Sequence, residues 1–306
     1  MTKSPGPAQS VADGPSSSTD GCPITTVIFD VDDTLYDVST GFTAHRNTDG
    51  ATSFMIEKLG FPDVATAQSL RDEYFERYHS TAKALTVAEA EGRLPPPTAD
   101  VAGEGAREGP RFDPNELSEW WASELDFSIL GGPDPALVSA MRSLRSAGLR
   151  LVAFSNGPRK YVLRVLEEIG MDEFFPPEMV FSVNDVLPSC KPEPESFERV
   201  FKAVGVKRPE ECVMVEDSMK NVRAAKALGM RTVLVAGEGR LRVRQSRTGD
   251  GMDVDSVAAA AAEATKPGDA PKADDPAVDV AVEICAQMIT AVPGLTQRPA
   301  VFSVAR

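Results

Sequence analysis

Short runs of apolar, β-branched residues recur along the chain and alternate with segments of helical periodicity. The apolar runs, each typical of a buried strand, cover residues 24–31, 149–154, 179–183, 212–215 and 232–235. The helical patterns between them cover residues 135–147, 160–169, 195–204 and 220–228. Several of these patterns are followed by a glycine, which favours a left-handed helix cap. The alternation predicts an α/β fold with a mostly parallel sheet and helices on both faces.

One long stretch after the first strand interrupts this alternation, because it contains helical patterns and no convincing strand. The helical patterns cover residues 51–59, 65–85 and 115–125. Residues 94–114 include three consecutive prolines and several glycines, which are typical of a loop. We therefore expect an inserted helical cap over residues 39–131, with a loop insertion at 94–114.

The remaining segments complete the expected organisation. Residues 1–21 are rich in Ser, Pro, Gly and Asp and predict a disordered tail. Residues 237–275 read as an irregular insertion whose arginines, at 240, 242, 244 and 247, fit either a solvated loop or an anionic partner. A last strand at 277–282 and a helix at 284–291 are expected to return to the sheet. The core is thus assigned to residues 22–38, 132–236 and 276–294, and residues 295–306 to a C-terminal tail.

Composition narrows the classes of ligand. The 306 residues carry 32 Lys plus Arg against 46 Asp plus Glu, a net charge of −14, which argues against binding to a nucleic-acid polymer or an anionic membrane. Two histidines and four scattered cysteines leave no zinc or disulfide framework, so any metal would be held by oxygen. No apolar run approaches the ~20 residues of a membrane span. With no signal or transit pattern either, we expect a cytoplasmic protein.

Polar side chains follow four of the predicted strands in order. Asp30 and Asp32 follow the first strand, Ser155 and Asn156 the second, Lys191 the third, and Glu216 with Asp217 the fourth. In open α/β sheets, ligands bind at the edge where the parallel strands end. Carboxylates gathered there would repel one another, which predicts a bound cation, a raised pKa, or both.

Each motif taken alone has an ordinary structural explanation. The Asp-x-Asp-x-Thr motif fits an acidic turn in which Thr34 caps the next segment, and Ser155 fits a helix N-cap. Lys191 fits a solvated loop, and Glu216 with Asp217 would complement a helix N-terminus. Asn221 would either orient the acids or cap a helix. The ordered combination at successive strand ends favours a catalytic site.

This ordered set resembles the four motifs of the haloacid dehalogenase (HAD) superfamily of phosphotransferases and phosphatases. The motifs correspond to Asp30-Val31-Asp32-Asp33-Thr34, Ser155, Lys191 and Glu216-Asp217, and the helical insertion resembles that superfamily's C1-type cap. The resemblance implies a HAD-like Rossmannoid core. Segments such as FDVDDTLYDVST and CKPEPESFERVF look most like the pyrimidine 5′-nucleotidase branch. That branch usually has glycines where His79 and Ala84 stand, and nothing in it matches the two long insertions.

The resemblance implies a Mg²⁺-dependent phosphomonoester hydrolase that works through an aspartyl-phosphate. Asp30 would be the nucleophile and Asp32 the general acid and base, which requires an Asp32 pKa nearer neutrality than a free carboxylate has. Lys191 would offset negative charge, and Ser155, with Asn156 beside it, would bind the phosphoryl group. The metal ligands would be Asp30, the backbone carbonyl of Asp32, Asp217 and, directly or one shell out, Glu216. Asp33 is expected to point away from them and to be structural.

The expected substrate is a small phosphorylated metabolite, with a pyrimidine nucleoside 5′-monophosphate as the first choice. A phosphosugar phosphatase or mutase, or a non-catalytic regulatory protein on the same scaffold, are the alternatives. The candidate cap side chains for contact with the leaving group are Tyr36, Phe42, His45, Arg46, Tyr74, Tyr78, His79 and Lys83. Most of the aromatic ones fit cap packing better. The oligomeric state does not follow from the sequence.

Overall fold

Six parallel strands form a single sheet in the computed structural model, which describes residues 22–96, 110–241 and 269–305. The strands are β1 (Thr26–Phe29), β2 (Arg150–Phe154), β3 (Val180–Phe181), β4 (Cys212–Glu216), β5 (Arg231–Val235) and β6 (Val280–Val282). Their order is β3-β2-β1-β4-β5-β6, with β1 in register between β2 and β4. The order reverses at β1, so the carboxyl ends of β1, β2 and β4 border one crevice. The predicted α/β fold with a parallel sheet is confirmed.

The helices divide between the two faces of the sheet and the inserted segment. In chain order they are α1 (Phe42–His45), α2 (Ala51–Leu59), α3 (Val64–Tyr78), α4 (Thr81–Ala90), α5 (Pro114–Glu124), α6 (Pro135–Ser146), α7 (Arg159–Glu168), α8 (Val183–Val186), α9 (Pro194–Val204), α10 (Met219–Ala227) and α11 (Met288–Ala291). The helices α1 to α5 all lie between β1 and β2 in the chain. A π-helical turn, Arg46–Gly50, joins α1 to α2.

Alternation along β1 builds the two hydrophobic layers that hold the sheet. Val27 and Phe29 belong to the apolar cluster that contains the buried faces of α6, α7 and α11, whereas Ile28 belongs to the cluster that contains α9 and part of α10. All three side chains are fully buried. A strand that is covered on both faces has a continuous apolar sequence, which is why the first strand could be predicted from the sequence.

The predicted helix over residues 65–85 is wrong, because the structure has two helices there. The helix α3 ends at Tyr78, and His79 takes a left-handed conformation with φ of 50°. Ser80 then opens α4, since its side chain accepts a hydrogen bond from the backbone of Lys83. A serine N-cap is a strong start signal, and it overrides the helical periodicity that runs through this segment.

Several predicted elements are shorter than expected. Only Val180–Phe181 is strand in the run at 179–183, because Val183 already begins α8. The predicted helix at 284–291 is a 3-10 turn, Cys285–Gln287, followed by the short α11. Beyond it, the backbone of Ile24 donates to Ala300 at 2.8 Å, and Leu295 is fully buried. The segment that follows α11 therefore packs against the start of β1.

The predictions for residues 1–21, for most of 94–114 and for most of 237–275, including the arginines at 242, 244 and 247, lie outside the described residues. All four cysteines are free thiols. In the part of the chain that the structure describes, none of the helices has the length and apolar character needed to cross a membrane.

Candidate active site

Three carboxylates meet where β1 and β4 end. Asp30, Glu216 and Asp217 each place an oxygen within 4.8 Å of the others, and Asp30 and Glu216 are buried. Glu216 is the last residue of β4, and the backbone of Asp30 donates to Val215 at 2.9 Å. Pairing of the two strands thus brings together acids that are 186 positions apart in the numbering (216 − 30). The structure places these acids at one edge of the sheet, which is the position expected from the sequence.

The ammonium group of Lys191 bridges two of these acids. Its Nζ lies 2.6 Å from Asp30 Oδ1 and 2.8 Å from Glu216 Oε2, and the side chain is 1% exposed. Burial alone would lower the pKa of Lys191, but the charges of Asp30 and then Glu216 outweigh it and hold that pKa above its usual value. Lys191 is therefore a permanent buried cation between the two carboxylates.

One cation does not balance three acids, two of which are buried. Burial, and then the charge of Glu216, raise the pKa of Asp30 to about 8, although Lys191 opposes the shift. Burial, followed by the charges of Glu216 and Asp30, holds the pKa of Asp217 well above its ordinary range. Raised carboxyl pKa values in a cluster mark a place where additional positive charge would be stabilised.

The donor set fits Mg²⁺. That ion prefers oxygen ligands and is commonly held by one or two carboxylates together with water and substrate phosphate oxygens. Asp30 and Asp217 offer carboxylate oxygens at the cluster, and Thr34 Oγ1 donates to Asp217 Oδ1 at 3.4 Å. Glu216 already accepts from Lys191 and from the backbone of Ser218 at 3.2 Å, so it has the fewest free lone pairs of the three.

Asp32 has a different environment from the one expected. Its Oδ2 lies 2.6 Å from Arg46 Nη1, and its Oδ1 accepts from Tyr36 at 2.8 Å and from Tyr161. Burial raises the pKa of Asp32, but the charge of Arg46 and the hydrogen bonds from Tyr161 and Tyr36 outweigh burial and lower it. The expectation of a pKa near neutrality is thus wrong for this arrangement. The cause is a cap residue, Arg46, whose reach to the core could not be read from spacing.

Asp33 also departs from expectation, because it lines the same cavity as Asp30 and Asp32. Strand alternation predicted that it would point away, but β1 ends at Phe29 and Asp33 has a left-handed φ of 56°. Alternation does not apply outside the strand. Burial raises the pKa of Asp33 to about 6, and its Oδ1 has no hydrogen-bond partner among the described residues.

The residues after β2 hold the neighbours of the acids in place. Ser155 is fully buried, donates to Asp32 Oδ2 at 3.2 Å and accepts from the backbone of Gly157 at 2.9 Å. The amide of Asn156 donates to the carbonyl of Lys191 at 2.8 Å and accepts from its backbone N–H at 2.9 Å. The Asn156 side chain therefore contacts the main chain of Lys191 rather than facing open space.

The cap closes over these residues and leaves a cavity of about 160 Å³. Ser80 donates to the carbonyl of Asn156 at 2.9 Å, and Lys83 pairs with Glu193 of the core. The cap side chains that line the cavity are Thr43, Arg46, Asn47, Phe75, His79, Ser80, Thr81 and Trp121. Of the cap candidates named from sequence, the structure thus brings Arg46 and His79 to the cavity, while Phe42 and Tyr74 are fully buried in the core.

Two residues that contact the site were not predicted from the sequence. Tyr161 reads as one apolar position of α7, yet its hydroxyl reaches Asp32. Asp269, at the end of the second insertion, accepts from Ser218 Oγ at 2.8 Å and from the backbone of Lys220 at 3.0 Å. These contacts place Asp269 at the start of α10, directly after the acidic pair. The helix start at Ser218 was the sequence signal for such an acceptor, because the first N–H groups of a helix require hydrogen-bond acceptors.

Curated relatives match part of the chain. A pyrophosphatase, PpaX, of Halalkalibacterium halodurans is 29% identical over 142 residues, which cover 44% of this chain and 64% of that protein. Phosphoglycolate phosphatase 1 of Pseudomonas aeruginosa is 32% identical over 97 residues, 32% of this chain and 34% of that protein. The chain thus spans less than two thirds of the length of either relative. These names do not include a pyrimidine 5′-nucleotidase.

Solved structures with this fold cover most of the chain. CbbY from Rhodobacter sphaeroides, in complex with phosphate, has a TM-score of 0.52 at 18% identity, covering 87% of this chain and 96% of that one. L-2-haloacid dehalogenase from Xanthobacter autotrophicus has a TM-score of 0.50 at 19% identity, covering 89% and 99%. At these identities the likeness concerns the fold.

The sequence itself matches the haloacid dehalogenase-like hydrolases over residues 24–229, a span that runs from the start of β1 to the end of α10 and includes the inserted helices. The strands β1 to β4, the acids at the ends of β1 and β4, and the bridging lysine all fall within that span. The chain belongs to the haloacid dehalogenase-like hydrolase family.

Proposed function

We propose that this protein is a phosphomonoester hydrolase that requires a divalent cation, with Mg²⁺ as the ion that its oxygen donors suit. The observation that carries the proposal is the buried contact of Lys191 with Asp30 and Glu216, with Asp217 beside them. A carboxylate nucleophile attacks a phosphate dianion only when positive charge offsets their repulsion, and these residues provide for that charge.

In this proposal Asp30 is the nucleophile. Its Oδ attacks phosphorus in line with the bond to the leaving oxygen, and an aspartyl-phosphate forms as that bond breaks. Lys191 keeps the Asp30 carboxylate oriented and compensates the charge that gathers on the phosphoryl oxygens. Mg²⁺, held by Asp30, Asp217 and the backbone carbonyl of Asp32 with Glu216 supporting them, would neutralise phosphoryl charge.

Asp32 is the proposed proton donor and acceptor. In this proposal Asp32 takes up a proton from solvent once its contact with Arg46 is released, gives that proton to the departing alkoxide, and later takes one from the water that hydrolyses the aspartyl-phosphate. In the structure its carboxylate is engaged by Arg46, Tyr36 and Tyr161. Release of the Arg46 contact is therefore part of the catalytic cycle that we propose. Ser155, one hydrogen bond from Asp32, would bind a phosphoryl oxygen, and Asn156 would keep Lys191 in place.

The substrate is proposed to be a small phosphorylated metabolite. The sequence resemblance supports a pyrimidine nucleoside 5′-monophosphate, and the names of the curated relatives support phosphoglycolate or pyrophosphate. A cavity of about 160 Å³ that is partly covered by the cap favours a compact leaving group.

The test is a phosphate-release assay with and without Mg²⁺ on nucleotides, sugar phosphates and phosphoglycolate. We expect release that requires Mg²⁺ and is lost in Asp30→Asn, while Asp172→Asn, which changes an exposed aspartate, retains it. Full activity of Asp30→Asn, or full activity in EDTA, would refute the proposed chemistry. An isomerised sugar phosphate in place of free phosphate would instead indicate a mutase.

A further inference from the structure

The cap contains a buried arginine with two donors that none of the described residues accepts from. Arg71 on α3 is 7% exposed, and its Nε and Nη2 atoms are fully buried without a hydrogen-bond partner in the described part of the chain. Within the described residues, Arg71 Nη1 pairs with Asp72 Oδ1 at 2.7 Å, and the Asp72 side chain is 46% exposed. A buried guanidinium with two unused donors is costly unless a ligand supplies an acceptor.

Arg71 lies at the inner end of a row of side chains that leads to the cavity. Positions 71 and 75 share one face of α3, and His79 follows directly after the last residue of that helix. The Arg71 guanidinium lies 4.0 Å from the centre of the Phe75 ring, and Phe75 and His79 are 5.7 Å apart between ring centres. Phe75 and His79 line the cavity. Only the Phe75 ring therefore separates Arg71 from the cavity wall along this row.

A second cap arginine contributes positive charge to the same region. Arg46 lines the cavity and lies 5.2 Å and 5.6 Å from the ring centres of Tyr161 and Trp121. Burial lowers the pKa of Arg71, its contact with Asp72 opposes that shift, and the charge of Arg46 lowers the pKa by a smaller amount. An anion bound near both guanidinium groups would offset their mutual repulsion.

The two sides of the cavity differ. Its core side carries Asp30, Asp217 and Glu216 with the proposed metal, which suits the phosphoryl group. Its cap side carries Arg46, which is paired with Asp32 at 2.6 Å, and the Arg71 guanidinium lies over the Phe75 ring of the cavity wall. A phosphomonoester with a neutral leaving group would use only the core side. A substrate with an oxyanion on its leaving group would use both.

We propose that Arg71 and Arg46 form an anion subsite in the cap that binds an oxyanion, a carboxylate or a second phosphate, on the leaving group of the substrate. This inference rests on the proposed phosphomonoesterase function and deepens it. It assigns the substrate class as phosphomonoesters of small acidic metabolites, and it makes Arg71 a specificity-determining residue. Rotation of the Phe75 ring opens the path between the cavity and Arg71.

Binding to a variant that does not turn over tests the subsite apart from the chemistry. The Asp30→Asn protein, with Mg²⁺, is titrated calorimetrically with 2-phosphoglycolate and with 2-hydroxyethyl phosphate, which differ in the carboxylate. We expect the carboxylate ligand to bind about tenfold more tightly or better, as a charge-assisted hydrogen bond provides. A second pair, 1,3-propanediol bisphosphate and 3-hydroxypropyl phosphate, determines whether a second phosphate satisfies the same subsite.

Substitutions on α3 assign the preference to Arg71. Arg71→Met in the same background should bring the affinity ratio close to one without loss of thermal stability, because the substitution removes two buried donors that lack an acceptor among the described residues. Arg71→Lys should keep part of the ratio, and Arg77→Met, which changes an arginine that is 47% exposed on the same helix, should keep all of it. A ratio near one for both pairs in the Asp30→Asn protein, or an unchanged ratio in Arg71→Met, overturns the subsite.

Turnover by the otherwise unaltered chain separates the two proposals. If no phosphomonoester is hydrolysed but the binding ratio holds, the proposed function fails and the subsite stands. If phosphate is released equally from the acidic and neutral members of each pair, the function stands and the subsite fails.

Discussion

Replacing Lys191 by Met tests whether the buried lysine holds the site together. The side chain is 1% exposed and makes two ion pairs, at 2.6 Å and 2.8 Å, so the substitution leaves Asp30 and Glu216 buried without their counter-charge. Removing one partner of a buried ion pair costs about 3–5 kcal/mol. For a domain of this size we expect the melting temperature in EDTA to fall by on the order of 10 °C.

Mg²⁺ distinguishes loss of charge balance from loss of packing. Because added positive charge at the cluster would replace part of what Lys191 provides, we expect Mg²⁺ to stabilise Lys191→Met more than the unaltered protein, in calorimetric or fluorescence melting curves. Lys207→Met, which removes an exposed lysine, is the matched control and should melt like the unaltered protein. If Lys191→Met melts with that control in EDTA, the argument that Lys191 compensates buried carboxylates is refuted.

Three further predictions concern the carboxylates, the lysine loop and the cap. Since the folded pKa of Asp30, about 8, lies above its unfolded value, the folded protein binds the extra proton, so stability in EDTA should decline as pH rises from about 4 to about 8. Asp30→Asn should flatten this decline in melting curves, and an equally steep one would contradict the shift. Asn156→Ala should lower kcat by about tenfold with a smaller change in KM, because the two hydrogen bonds that position Lys191 are lost; an equal effect on both constants would argue against a positioning role. Trp121→Ala should destabilise the protein by about 3–5 kcal/mol in denaturant unfolding, since Trp121 is 2% exposed and donates to the carbonyl of Gly50 at 3.0 Å; a loss below about 1 kcal/mol would show that the cap repacks.

The core was predictable because its signals are local. Val27, Ile28 and Phe29 form a continuous apolar run, which is typical of a strand buried on both faces. The helical patterns on either side of β2 contain their own start and stop residues. The cap was less predictable. Periodicity runs through His79 and Ser80, and only the left-handed backbone of His79 and the capping contact of Ser80 divide α3 from α4.

The identities of the site residues were predictable from the sequence, but their charge states were not. Asp30, Lys191, Glu216 and Asp217 were expected together from their order at strand ends. The structure pairs Lys191 with Asp30 and Glu216, and it places an oxygen of Asp217 within 4.8 Å of those two acids. The contacts of Asp32 were not expected, because they come from Arg46 in the cap and Tyr161 on α7, 115 positions apart. A pKa depends on every charge and donor within a few ångströms, and sequence separation carries no information about that distance.

By itself, the sequence determined which residue types stand at the ends of the strands, and thereby the family and the acids available for a cation. Tertiary structure alone decided how those groups are paired. Arg46 contacts Asp32, Asn156 contacts the main chain of Lys191, and Arg71 has two donors without an acceptor among the described residues. The physical reason is that the two kinds of interaction act over different separations along the chain. Strand and helix patterns follow from neighbours along the chain, whereas ion pairing and desolvation are set by contacts between segments that only the packed cap and core bring together.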